Sequence, residues 1–271
     1  MRRRIAPAAL WAVLVAGAVA VIFPFVWAFV TSISPGSGLS ATPSLIPENP
    51  SFSAYQALFD RLPFARVILN SLLLAVGTTA AQLTTASLAA YVFSRMPFKG
   101  RGAVFSIYLA TMMIPMQVLV VPLFVEMKSL GLIDTYLGVF LPGIASAFGV
   151  FLLRQAMNSI PTDLDQAATL DGAGHFRIFV QIILPLIRPA LATLAVFTFL
   201  NSWNSFLWPL IILRTPALKT LPVALAALQG QYTTQWDIVM AGSVVSILPM
   251  LALYIFAQKY IVQGVAGTGL K

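Results

Sequence analysis

Residues 160–191 read IPTDLDQAATLDGAGHFRIFVQIILPLIRPAL, the most unusual stretch of a largely apolar chain. The pattern predicts two short helices with a break between them. Pro161 suits a helix start, where its missing N–H is no loss. Thr162, with Asp165 three residues later, resembles a capping box with Asp in place of Glu. Leu164, Ala167, Ala168 and Asp171 then share one face. Gly172 stops this helix, because a residue without Cβ takes the left-handed conformation such a stop uses. A second helix follows with Phe176, Phe179, Val180 and Ile183 at apolar spacing, and Pro185 and Pro189 mark its end. The expected shape is a stiff, knob-like hairpin.

On either side of the hairpin the chain is suited to a membrane. Of its 271 residues 59% are hydrophobic and 9% charged, and the mean hydropathy is +0.90. A soluble domain carries about 25% charged residues. The charges leave six long gaps, at residues 5–47, 67–94, 102–125, 135–153, 189–213 and 238–258. Each holds enough apolar residues to cross a hydrocarbon core, which takes about 20 residues of helix. A seventh gap, 220–236, is too polar in its second half, with Gln229, Gly230, Gln231, Thr233, Thr234 and Gln235. It reads as an external loop or short interfacial helix. The expected fold class is an all-α membrane protein with six transmembrane helices.

Orientation follows from the basic residues. With a cytoplasmic N-terminus, the inner segments carry Arg2, Arg3, Arg4, Arg95, Lys99, Arg101, Arg154, Arg177, Arg188, Lys259 and Lys271, eleven of the sixteen Lys and Arg. Both termini are then cytoplasmic. The net charge of +8 is thus a topology signal. Nucleic-acid binding would need the basic residues clustered on one folded face, and they are not. The N-terminal MRRR precedes an apolar run that continues through Phe23, Trp27 and Phe29 without a convincing cleavage site, so it is expected to be retained. With no cysteine, no disulfide, thiolate metal site or Cys nucleophile is available. The lone histidine, His175, lies in the hairpin and reads as a surface or docking residue, and no metal site is expected.

Three divisions follow. Residues 1–65 hold the first transmembrane helix and an external loop, Pro/Gly/Ser-rich at 34–53. Within them, residues 52–64 read as a short amphipathic helix with Tyr55, Leu58 and Phe59 at helical spacing. Residues 66–262 form a core of five transmembrane helices with the cytoplasmic hairpin at 160–186, and residues 263–271 are a cytoplasmic tail. In the third span Pro115 and Pro122 remove backbone donors, and in lipid the freed carbonyls need partners from neighbouring helices or water. A kinked helix lining a protein interior and a bent packing helix both fit. Ala75, Gly77, Ala80, Ala81, Ala86 and Ala90 permit close approach along the second span.

The hairpin resembles the coupling motif of importer-type ATP-binding-cassette permeases: Glu-Ala-Ala, three residues, Gly, nine residues, Ile, one residue, Leu-Pro. Ala167, Ala168, Gly172, Ile182, Leu184 and Pro185 sit where that pattern requires them, and Gln166 stands where the family usually has Glu. A neutral amide still donates and accepts hydrogen bonds. The wider chain is similar to the carbohydrate branch, and to the second permease of the maltose-type pair. The similar segments are NSLLLAVGTT, NSWNSFLWPL, LPVALAAL and the tail YIVQGVAGTGLK. The resemblance implies a type I importer permease in a bacterial inner membrane, with Gln166, Ala167, Ala168, Asp171, Gly172, Ala173, Phe176, Ile182, Leu184 and Pro185 docking on a separate nucleotide-binding subunit. It implies tail contacts to that subunit through Gly264, Gly267, Thr268 and Gly269. The implied partners are a second homologous permease, an ATPase dimer, an extracytoplasmic solute-binding protein and membrane lipid, with no nucleic acid.

The chain itself has no Gly-x-x-x-x-Gly-Lys-Ser/Thr loop, so it does not bind ATP by that motif. No cofactor of its own is expected, ATP and Mg belong to the partner, and the chain is not an enzyme. An ion-coupled secondary transporter, the rival reading, places Asp, Glu or His within its spans. Here Glu126 and Asp134 lie at an outer edge. Asn201, Trp203, Asn204 and Trp208 fall around the middle and outer half of the fifth span. Their amides suit sugar hydroxyls and their indoles suit sugar rings. Asn equally bonds across helices, and Trp208 equally fits an interfacial aromatic belt.

Overall fold

In lipid a helix satisfies its own backbone within one segment, and helices are the regular structure of the described residues. The computed structural model describes residues 7–36, 46–47, 49–229 and 234–266, and no strand occurs among them. Two compact units are formed, Met1–Phe64 with Ala224–Pro249, and Ala65–Val223 with Met250–Lys271.

In the first unit, α1 (Pro7–Ser32) is apolar on every side, as a span facing lipid must be. At its end Ser32 Oγ donates to Phe29 O and lies 2.8 Å from Tyr55 Oη. Tyr55 belongs to α2 (Ser53–Arg61), which buries Ala54 and Leu58. The apolar face expected from Tyr55, Leu58 and Phe59 is thus rotated. Phe59 is exposed, and its ring meets Phe64 edge-on at 5.3 Å.

The second unit is built on α3 (Phe64–Arg95), an unbroken helix of 32 residues. Its small residues act as expected. Ala86 and Ala90 are fully buried, and a Cβ on Gly149 would stand 3.1 Å from that of Ala86. The third span is not one kinked helix. It is α4 (Arg101–Ala110), running on to Met113, and α5 (Met116–Ser129), meeting at 98°. Pro115 is the cause: it forces Ile114 into the extended region, at φ −86° and ψ 112°. Pro122 lies inside α5 without breaking it.

The fourth span is also broken, by 43°, between α6 (Tyr136–Phe140), extended to Gly143, and α7 (Ala147–Asn158). Here the freed carbonyls find partners on α3. Gln82 Nε2 donates to Gly143 O and Thr85 Oγ1 to Ile144 O, each at 2.7 Å. Thr135 and Ser146 cap α6 and α7 through Gly138 N and Gly149 N. Next come α8 (Asp163–Leu170), α9 (His175–Ile178), a π-helical turn at Phe179–Ile183 and α10 (Leu184–Leu186). A 78° bend then leads into α11 (Arg188–Trp203). After α12 (Leu207–Ile212) and α13 (Leu221–Ala226), the chain ends in α14 (Trp236–Ala266).

Among the described residues three unbroken helices are long and apolar enough to cross a membrane, and with each bent pair taken as one span the number rises to six. The 220–236 segment, rejected as a span, carries only the short α13 among its described residues.

Beyond α12 the loop is held at several points. Asp134, at φ +60°, accepts from Arg214 N, Thr215 N and Thr215 Oγ1. Asn70 Nδ2 donates to Ala217 O and Lys219 O, and Tyr136 Oη donates to Asn70 Oδ1. Ser71 Oγ accepts from Leu221 N.

Candidate functional site

The hairpin closes as its sequence predicts at Gly172 and differently at its start. Gly172 has φ +80°. Its N–H bonds Thr169 O, and Ala173 N–H bonds Ala168 O, the paired bonds of a Schellman stop. Ala168 and Ala173 turn toward the core beneath them. Thr162 makes no side-chain cap, so the expected capping box is absent. The Asp165 carboxylate is drawn instead to Arg95, Oδ2 to Nε at 2.8 Å.

The second arm also faces otherwise than its spacing suggests. Ile178, Phe179 and Ile183 are buried, while Phe176 is 74% and Val180 41% exposed. For Val180 a π-helical turn accounts for this, because it shifts the helical register between Phe179 and Ile183, whereas Phe176 lies before that turn, in α9. Leu170 is 90% exposed, and Gln166, Ala167, Asp171 and Gly172 also face outward. Ile182, Leu184 and Pro185 are half-buried. The most exposed large apolar side chains of the knob are thus Leu170 and Phe176, beside polar Gln166 and Asp171. Of the tail residues, Gly264 lies within α14, and Gly267, Thr268 and Gly269 lie outside the described residues.

The same unit holds an open cavity of about 980 Å³ between α3, α5, the fourth span and the end of the fifth. Asn201, Asn204 and Trp208 line it, and Trp203 does not. Trp203 is 2% exposed and stacks on Phe199 at 5.8 Å. It is a packing residue, because α11 ends at this turn and directs the indole inward. Trp208 is held by Nε1 donating to Gly138 O, and Asn204 Nδ2 donates to Leu200 O.

Sequence reasoning missed Gln82, Gln117 and Thr198, which also line the cavity. Gln82 is its hub, since its Oε1 accepts from Thr198 Oγ1 while its Nε2 holds Gly143 O. An amide near the middle of an otherwise apolar span was the available signal. None of the lining residues is Asp, Glu, Lys, Arg or His.

Helices apolar enough for a membrane, some of them broken, a largely apolar cavity set with amides and hydroxyls, and a helical knob at the Arg95 end of α3 describe a membrane permease. The chain belongs to the family of binding-protein-dependent transport system inner membrane components, whose match covers residues 82–267. It is 38% identical over 254 residues to the arabinooligosaccharides transport system permease protein AraQ of Bacillus subtilis (strain 168), covering 92% of this chain and 90% of that one. To the lactose transport system permease protein LacG of Rhizobium radiobacter it is 35% identical over 275 residues, covering 99% and 98%. Its fold matches a chain of a bacterial ABC transporter involved in import of the acidic polysaccharide alginate. The TM-score is 0.85 at 26% identity, over 95% of this chain and 97% of that chain. The chain is therefore a transport permease subunit of the inner membrane with the type I importer fold.

Proposed function

We propose that this chain forms half of the translocation path of an ATP-driven importer for an uncharged sugar or oligosaccharide. The observation that carries the reading is the hairpin, a rigid helix–Schellman–helix knob with Leu170 and Phe176 exposed at its surface. Unpaired apolar side chains of this size on a knob outside the apolar spans mark a protein interface. Gln166, Ala167, Ala168, Asp171, Gly172, Ala173 and Phe176 dock there on a separate ATPase subunit, with Ile182, Leu184 and Pro185 setting the second arm. The tail residues Gly264, Gly267, Thr268 and Gly269 add contacts. ATP and Mg are held by that partner, and both termini of this chain are cytoplasmic. A second, homologous permease completes the path, and an external binding protein delivers the solute.

The cavity chemistry supports an uncharged solute. The amides of Gln82, Gln117, Asn201 and Asn204 and the hydroxyl of Thr198 suit sugar hydroxyls, and Phe206 and Trp208 suit ring faces. An anion entering this half of the path would meet no cation, and a desolvated carboxylate or phosphate without a partner is costly. The named cargoes of the arabinooligosaccharide and lactose relatives are neutral sugars, whereas alginate is acidic.

The test is uptake into proteoliposomes by the four-subunit complex with its binding protein, using neutral oligosaccharides and, in parallel, sn-glycerol-3-phosphate and alginate oligosaccharides. Uptake of a neutral sugar that requires ATP and the ATPase subunit is expected. Transport by the permease pair alone would overturn the importer reading, and preferred uptake of an anion would overturn only the solute class.

A further inference from the structure

Arg95 ends α3, and Asp165 lies in the first turn of α8. Their side chains are 5% and 19% exposed with Nε and Oδ2 2.8 Å apart, the one side-chain ion pair among the described residues. The same guanidinium donates through Nη2 to Ile160 O at 2.9 Å, so a single residue of α3 holds the hairpin at its root and on its first helix. Arg95 Nε and Asp165 Oδ1 nonetheless lack a well-aligned hydrogen-bond partner. A buried, incompletely satisfied pair gains its attraction in one arrangement and leaves a bare buried charge when that arrangement is lost. Such a contact favours discrete positions over sliding. One turn back along α3, Tyr91 packs on Phe179 with ring centroids 5.1 Å apart and places its hydroxyl 3.4 Å from His175 Nδ1.

From this grip α3 runs without a break to the cavity, where Leu74, Thr78 and Gln82 form part of the wall. Gln82 lies about 20 Å along the helix from Arg95, at about 1.5 Å per residue. The covalent route from the hairpin to the fifth span instead passes a π-helical turn and a 78° bend. We propose that Arg95 and Asp165 are positioning residues that make α3 the rod carrying hairpin displacement to the cavity wall. The inference rests on the docking role proposed for the hairpin.

The chain has no cysteine of its own, so a bimane fluorophore on Thr78→Cys reports the α3 wall and one on Asn201→Cys reports the α11 wall. Both are read on ATP addition in the full reconstituted complex, with partner subunits lacking reactive cysteines. In Arg95→Gln and Asp165→Asn the ATPase subunit stays bound and hydrolyses ATP. The response at Thr78 falls about tenfold, within the range of ordinary site-to-site coupling, and the response at Asn201 persists. Exchanging the charges, Arg95→Asp with Asp165→Arg, restores the Thr78 response. An unchanged Thr78 response in the single variants, or equal loss at both positions, overturns the proposal.

If neither single variant assembles, the exchanged pair decides: assembly with a normal Thr78 response supports the rod, and anything else removes it. Normal ATPase retention and uptake by Gly172→Val would remove the docking role itself. A defective Gly172→Val beside unaffected Arg95 and Asp165 variants removes only the α3 route.

Discussion

Gly138 and Asp134 show how single residues hold the outer end of the cavity. Gly138 donates its N–H to Thr135 Oγ1 and accepts from Trp208 Nε1 through its carbonyl. A Cβ there would collide with the carbonyl of Leu132 and approach Ile212 Cγ2 to 3.2 Å. Backbone on one side cannot yield as a flexible side chain would. Gly138→Ala should therefore lower stability by about 1–3 kcal/mol, the usual cost of overpacking, measured as a lower unfolding temperature of the detergent-purified chain. It should also loosen Trp208, which the indole–carbonyl bond positions. Asp134 is held below the ordinary carboxylate range, first by the Thr215 hydroxyl and then by the N–H groups of Thr215 and Arg214. Its folded carboxyl thus titrates lower than the unfolded one. The stabilisation is complete above about pH 4 and is lost as pH falls through the folded value. Protease nicking in the 213–219 loop should rise below about pH 4, while in Asp134→Ala it should be high and independent of pH. A pH-dependent variant would refute the clamp.

The elements divide by what a linear pattern encodes. Charge gaps located the three unbroken apolar helices and the three bent pairs, and Gly172 located the hairpin turn, because length, polarity and a required positive φ are local properties. The 98° break at Pro115 and the intact helix at Pro122 carry the same residue type and differ only in what surrounds them. The inward turn of Trp203 and the partnering of Asp165 with Arg95 were hidden for the same reason, since each depends on contacts distant in sequence. Val180 was misplaced because a π-helical turn spoils 3.6-residue counting. Gly172→Val tests the hairpin as an element. Built Cβ atoms meet nothing within 4 Å at Gly172, so the hairpin itself leaves room, and the intrinsic cost is the backbone strain of about 1 kcal/mol or more. Expression and pairing with the second permease should survive, while ATPase-subunit retention or coupled hydrolysis falls severely because the side chain points where a partner must fit. Gln166→Glu should be tolerated, or strengthen retention if a basic side chain faces it. Co-purification of the ATPase subunit with each variant distinguishes these outcomes.

At the scale of the whole molecule, the sharpest question is whether the broken pairs cross the membrane. A 98° bend between Arg101–Met113 and Met116–Ser129 is compatible by geometry with a loop that returns to the side it came from. The charge pattern favours a crossing. Lys99 and Arg101 precede the pair and Arg154 follows the next one, the distribution expected if all three are cytoplasmic and both pairs cross. That next pair is then expected to begin outside, near Thr135. The absence of native cysteines makes the test direct. Gly102 has open space around it, and Ser129 is exposed at the far end of α5, so Gly102→Cys and Ser129→Cys place one thiol at each end of the broken pair. In intact spheroplasts a membrane-impermeant maleimide should label Ser129→Cys at once and Gly102→Cys only after lysis. Labelling of neither from outside would make the pair re-entrant, reduce the spans to five and reverse the assignment of every later loop, whereas equal labelling of both would make it re-entrant and reverse the loops before it.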